Sequence, residues 1–269
     1  MNLPPAMLPL LVLAVVQGVT EFLPVSSSGH LVLMRELFGW SDEGGLGVDI
    51  VLHAGSLAAI LIYFRRTWLD ILVGCLRPGD PGKAEARRLL GLLVLATLPV
   101  AAAGLLLKPI LESPFVRDGV TVGLSMMATA LLFWFCDLRT PPVPRPPGIR
   151  QALFAGTMQI IALLPGASRS GWTTAGSLFA GQSREASVRF AFYLAVPAIG
   201  GALALQARDI VRSQAAAGPA WFLAAGFAAS LLASLAAIHF CLIFFRRHTL
   251  RSFSPYLAAV GLLALMVSL

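Results

Sequence analysis

Apolar runs alternate with short polar interruptions along this chain, and two of the interruptions differ from the rest. Residues 17–30 read QGVTEFLPVSSSGH and lie between apolar arms at 6–16 and 31–38. Residues 165–171 read PGASRSG and lie between arms at 152–164 and 172–180. No arm reaches the roughly 20 apolar residues that a helix needs to cross a bilayer. Each pair of arms therefore predicts a re-entrant helical hairpin, over 6–38 and 152–180. Six longer apolar runs, at 46–64, 89–107, 119–136, 186–206, 220–245 and 253–269, predict full spans. The expected fold is an all-α polytopic membrane protein with six full transmembrane helices plus two re-entrant hairpins.

The segments between the spans carry charge and turn residues. Residues 41–47 predict a turn, 67–76 a short amphipathic piece, and 77–88 a charged loop with Pro78-Gly79 and Pro81-Gly82. Residues 137–150, DLRTPPVPRPPGIR, hold five prolines and predict an extended connector. The pattern restarts after it, giving a first repeat at 1–140, a connector at 141–151 and a second repeat at 152–269. Leu23-Pro24-Val25-Ser26-Ser27-Ser28-Gly29 and Leu164-Pro165-Gly166-Ala167-Ser168-Arg169-Ser170-Gly171 share the order Leu-Pro, Ser-x-Ser, Gly. An acidic residue follows each, Asp49 or Glu185, at the head of the next span. Three crossings plus a returning hairpin per half imply an inverted-topology repeat, the second half upside down relative to the first. Thirteen Lys and Arg then share one side, against five on the other: Arg35, Lys108, Arg117, Arg208 and Arg212. The richer side is assigned to the cytoplasm, which puts both termini and the mouth of the first hairpin outside.

Composition agrees. Of the 269 residues 57% are hydrophobic and 12% charged, which excludes an ordinary soluble domain. The net charge of +7 belongs to the cytoplasmic loops rather than to a nucleic-acid surface, because few aromatics lie among the basic residues. Cys75, Cys136 and Cys241 form no C-x-x-C pair, so neither a disulfide framework nor a zinc site is expected. Residues 1–16 hold no Lys or Arg and three prolines, so a cleaved leader is not expected.

Ionisable residues at membrane depth mark substrate or ion paths. Each predicted tip is a chain break followed by a half-helix that begins with Ser and Gly. A helix N-terminus offers unpaired N–H groups and the positive dipole end, a natural cradle for phosphate. Two cradles face to face, with Arg169 between Ser168 and Ser170, describe a site for an anion with more than one phosphoryl group. Gln17 and Glu21 are one turn apart and can face one cavity. Glu21 can ligate a hard cation or exchange a proton, and Gln17 can supply an amide oxygen. Ser27 and His30 have the spacing of a hydroxyl nucleophile and its base. Asp49, His53, Glu185 and Arg189 are weaker candidates for lining the cavity, and pairing between spans accounts for them equally well. His239 reads as structural.

The motifs Gln17-Gly-Val-Thr-Glu21 with its serine-rich tip to His30, and Pro165-Gly-Ala-Ser-Arg-Ser-Gly-Trp-Thr173, resemble the (E/Q)-x-x-x-E and PGxSRSxxT motifs of the undecaprenyl-diphosphate phosphatase, or bacitracin-resistance, family. With the Ser183-Arg184-Glu185 passage, the resemblance covers nearly the whole chain. It implies a bacterial plasma-membrane hydrolase that converts undecaprenyl diphosphate to undecaprenyl phosphate and inorganic phosphate, recycling the carrier lipid for cell-wall synthesis. It implies a divalent cation, Mg²⁺ or Ca²⁺, with Glu21 as ligand and Gln17, where the family often has Glu, as a second candidate. Glu21, Ser27, His30 and Arg169 take the catalytic roles; Gln17, Ser26, Ser28, Gly166, Ser168, Ser170 and Thr173 are the expected substrate contacts. The expected partners are the polyprenyl diphosphate and the bilayer, with a homodimer as a candidate assembly and no nucleic acid. Inverted repeats with broken helices are also the layout of secondary transporters, so a polyprenyl-phosphate carrier using the same site is the alternative.

Overall fold

Twelve α-helices account for most of the residues that the computed structural model describes, which are 7–40, 45–111, 113, 116, 118–136, 146–213 and 219–269, the side chains of 45, 46 and 207–213 excepted. They are α1 (Met7–Phe22), α2 (Ser27–Phe38), α3 (Gly45–Tyr63), α4 (Arg65–Leu76), α5 (Ala84–Leu106), α6 (Lys108–Leu111), α7 (Gly119–Cys136), α8 (Ile149–Met158), α9 (Arg169–Phe179), α10 (Arg184–Ser213), α11 (Ala220–Phe244) and α12 (Ser254–Ser268). There is no strand among the described residues. Most of the expected turn at 41–47 and of the Pro-rich connector at 137–150 lies outside them, as do Arg117 and the side chains of Arg208 and Arg212.

The six predicted spans correspond to α3, α5, α7, α10, α11 and α12. Five are long and apolar enough to cross a bilayer, and α3 becomes the sixth when joined to α4, from which it is bent by 78°. α4 follows the amphipathic piece expected at 67–76 and turns Leu69, Leu72 and Leu76 outward. α5 starts earlier than expected, inside the anticipated loop at 77–88. The Asp80 carboxylate accepts from Gly82 N at 2.8 Å and Pro81 opens a single 3-10 turn, so the chain is already helical at Ala84. Outward faces are apolar: Leu106, Leu131, Leu232 and Met266 are exposed, as helices surrounded by lipid require.

Packing between the two halves is reciprocal. α1 lies against α11, the second span of the second half, and α8 lies against α5, the second span of the first. Glycine makes both approaches close. A side chain at Gly18 would run into the Ser230 carbonyl of α11, and one at Gly156 into the Ala96 carbonyl of α5. α7 and α12 cross at Gly123 and Gly261, each of which would press a side chain onto the other's carbonyl, at 2.8 and 2.9 Å. Between α3 and α11 the polar groups satisfy one another: Ser230 Oγ donates to the Leu52 carbonyl at 2.7 Å, and Ser234 Oγ to Ser56 Oγ at 3.0 Å.

Candidate functional site

The first hairpin breaks over a few residues, and the second over a longer stretch that holds one 3-10 turn at Ile161–Leu163. α1 continues as far as Phe22, so Gln17 and Glu21 stand on a helix and the first break shrinks to residues 23–26. Ser26 takes φ 71°, a left-handed conformation that a side chain disfavours, and its Oγ accepts from Gly29 N at 3.3 Å to cap α2. The second break repeats the device: Gly166 takes φ 87°, and Ser168 Oγ accepts from Gly171 N at 3.2 Å to cap α9. Gly166 also lies flat against α7, where a side chain would strike the Val122 carbonyl.

The two breaks meet. Gly166 N donates to Ser28 Oγ at 3.3 Å, and Ser170 Oγ donates to the Leu23 carbonyl at 3.1 Å. Arg169 Nη2 donates to Glu21 Oε1 at 2.8 Å, an ion pair that joins the hairpins through side chains only 15% and 6% exposed. Glu21 Oε2 accepts from Ser27 Oγ at 2.6 Å and from Gln17 Nε2 at 2.8 Å. A buried carboxylate is tolerated when its lone pairs are used this way. Gln17, Glu21, Ser27 and Arg169 thus form one bonded cluster, with the N-termini of α2 and α9 on either side.

His30 stands apart from Ser27. Its Nδ1 donates to the Ser26 carbonyl at 2.7 Å, its Nε2 bonds the Tyr256 hydroxyl at 2.7 Å, and the two rings stack 5.7 Å apart. The spacing of Ser27 and His30 suggested a nucleophile and its base, but Ser27 is the first residue of α2 and its hydroxyl points back across the break to Glu21. Thr173 is likewise turned to its own helix, donating to the Arg169 carbonyl at 2.6 Å. Ser168 and Ser170 bond each other at 3.3 Å. Of the weaker candidates, Asp49 pairs with Arg35 at 2.6 Å and Glu185 with Arg189 at 3.1 Å. His239 bonds Tyr63 at 3.0 Å. His53 alone reaches the cluster, with Nε2 3.8 Å from Glu21 Oε2. Tyr256 was not marked by any motif; it lies more than 200 residues from His30, and only the fold brings them together.

A hard divalent cation fits this donor set. Among the described residues no group of three His, Cys, Asp or Glu gathers, so an all-protein cage of carboxylates is not available. Gln17 Oε1, however, is buried and has no hydrogen-bond partner, next to a carboxylate that its own amide nitrogen contacts. Mg²⁺ is commonly held by one or two carboxylates together with substrate phosphates.

Residues 10–263 match the family described as bacitracin resistance protein BacA. An undecaprenyl-diphosphatase of Alteromonas mediterranea is 35% identical over 256 residues, covering 94% of this chain and 95% of that protein. Undecaprenyl-diphosphatase 2 of Stutzerimonas stutzeri is 36% identical over 271 residues, covering 96% of this chain and 97% of that one.

Proposed function

This chain belongs to the bacitracin resistance protein BacA family, and from that premise we infer that it hydrolyses undecaprenyl diphosphate to undecaprenyl phosphate and inorganic phosphate. Doing so returns the carrier lipid to cell-wall synthesis and confers resistance to bacitracin. The observation that carries the reading at the level of residues is the Ser27 hydroxyl held 2.6 Å from Glu21 Oε2 between two facing helix N-termini. A lipid-phosphate carrier needs donors for its cargo but no hydroxyl held on a carboxylate.

The division of labour follows from the bonds. The diphosphate enters between the tips, where the N–H groups at the starts of α2 and α9 and the Arg169 fork bind its oxygens. Ser27 Oγ attacks the terminal phosphorus, its proton passes to Glu21 Oε2, and the bridging P–O bond breaks to release undecaprenyl phosphate. Water then attacks the phosphoserine, frees inorganic phosphate, and the proton returns from Glu21 to Ser27. Protonation of Glu21 releases Arg169 from its ion pair, so the guanidinium is free for the phosphoryl oxygens when their charge develops. His30 and Tyr256 hold the Ser26 carbonyl and with it the strained break; their part is positioning. Ser28, Ser170 and Gly166 fix the contact of the two tips, and Ser168 caps α9.

Glu21 and Arg169 cancel each other's charge, so the site alone has little positive charge to offer a diphosphate. Glu21 and Gln17 Oε1 would hold a divalent cation, Mg²⁺ or Ca²⁺, which supplies the missing charge and polarises phosphoryl oxygens. The polyprenyl tail has a place in the apolar cleft of about 560 Å³ between α7 and α12, lined by Met127, Ala128, Leu131, Trp134 and Pro255. Tyr256, beside Pro255, links that cleft to His30.

The inverted repeat is supported by the matching tips and by the reciprocal packing of α1 on α11 and α8 on α5. With both hairpins re-entrant, the termini lie outside and the first tip is reached from that side. A cysteine replacing the exposed Leu269 in a C75S background should react with an impermeant thiol reagent in intact spheroplasts. A homodimer is tested separately by mass measurement in detergent. For the activity, purified protein with Mg²⁺ should release phosphate from undecaprenyl diphosphate, and R169A should abolish the release.

A further inference from the structure

A second cavity, of about 490 Å³, lies where α5 and α10 begin, and α4 closes one side of it. α4 leaves α3 at 78°, so with α3 across the bilayer it runs close to the membrane surface. Its two faces differ. Leu69, Leu72 and Leu76 are exposed on one; on the other, Thr67 and Asp70 line the cavity and Gly74 lies close against Lys83 and Arg87. None of the lining residues belongs to the cluster around Glu21.

The walls grade from charged to apolar with depth. From the head of α5 come Glu85 and Arg88 and then Leu89 and Leu92; from that of α10 come Arg189 and then Phe190 and Tyr193. Leu92 and Phe190 are buried. Positive charge prevails at the rim: residues 65–88 hold six Lys and Arg against three carboxylates, and Arg88 has no acidic partner among the described residues. Lys83 pairs with Asp70 and Arg189 with Glu185, both through partly exposed side chains whose attraction water weakens, so both cations can turn to a stronger anion. Beside the cavity Trp68 stands edge-on to Tyr193, the rings 6.2 Å apart, with a buried Nε1–H that has no acceptor among the described residues.

We propose that this cavity holds the headgroup of an anionic phospholipid from the adjacent leaflet. The lipid phosphate meets Arg88, Lys83 and Arg189 at the rim, and the glycerol and first acyl carbons rest on Leu89, Leu92 and Phe190. A free phosphate ion uses the rim but has nothing to place on the apolar floor. A zwitterionic lipid uses the floor but brings a cation of its own to the rim. Phosphatidylglycerol fits both.

Native mass spectrometry of the purified full-length protein in detergent tests this, with dioleoylphosphatidylglycerol titrated against dioleoylphosphatidylcholine. The expected result is preferential retention of phosphatidylglycerol, weakened about ten-fold or more in R88Q/R189Q, which loses two cations at the membrane surface. A186W, which keeps every charge and fills the cavity, should weaken it too, whereas R246Q/R247Q, which removes two exposed cations elsewhere, should not. Excess inorganic phosphate should leave the lipid bound. Equal retention of the two lipids, an equal loss in R246Q/R247Q, unchanged retention in A186W, or displacement by inorganic phosphate overturns the proposal. A phosphatidylglycerol with a photoreactive headgroup locates the site in the wild type, independently of how the variants fold. Label on residues 67–89 or 186–193 is expected, and label confined to other segments overturns the proposal as well.

Discussion

Arg169 and Glu21, 148 residues apart in the chain, meet at 2.8 Å, and this ion pair closes the two interrupted hairpins into one site. Removing one partner of a buried pair leaves the other charge uncompensated, at a cost of about 3–5 kcal/mol. R169A should therefore lose both phosphate release and thermal stability. The double variant E21Q/R169M, which removes both charges, should recover much of the melting temperature in detergent while remaining inactive. If R169A melts with the wild type, the pair contributes nothing to the closure.

Glu21 and Ser27 are assigned one proton between them. S27A and E21Q should each lower kcat by about 10²–10⁴-fold, the range that a positioned proton acceptor contributes. S27A should still bind the diphosphate, because the N–H groups and Arg169 remain. Rapid-mixing turnover separates the two effects.

The sequence displays the all-helical membrane fold because lipid leaves a long apolar run few alternatives to a spanning helix. The cluster of Gln17, Glu21, Ser27 and Arg169 is legible for the same reason, since buried charge in a membrane has few neutral explanations. What spacing does not reveal is direction. Ser27 and His30 lie three residues apart on α2, yet the break turns the Ser27 hydroxyl to Glu21, while His30 finds Tyr256 on the last helix. His53 stands in the sequence only as one of four weaker candidates, because the packing of α3 against α1 is what carries it to Glu21. α5 begins five residues ahead of the apolar run at 89–107, a local matter of the Asp80 cap.

Tyr256 is the test of the positioning role given to His30. Y256F removes one hydrogen bond to Nε2 and keeps the stacked ring, so the loss should be about 0.5–1.5 kcal/mol, or about 2- to 13-fold in kcat. Its melting temperature should stay close to that of the wild type. A loss as large as that of S27A would instead make His30 a direct participant in proton transfer.

Gly166 has two reasons to be glycine, a φ of 87° and contact with the Val122 carbonyl. G166A should destabilise the protein by more than about 1 kcal/mol and lower kcat through the displaced Arg169. Circular dichroism melting and phosphate release read the two effects on the same sample.

The cleft between α7 and α12 predicts selectivity for the tail. A128W fills its wall from an exposed position of α7. It should raise KM for undecaprenyl diphosphate several-fold while leaving a short-chain, water-soluble diphosphate unaffected. Equal effects on both substrates would place the tail elsewhere.

Ser27, activated by Glu21 and faced by Arg169, takes the terminal phosphoryl group in the proposed reaction. Acid quenching within the first turnover of undecaprenyl diphosphate labelled with ³²P in the terminal phosphate tests it most directly. Label is expected on the peptide carrying Ser27 in the wild type and none in S27A. Full turnover by S27A, or label on another residue that S27A retains, would contradict it.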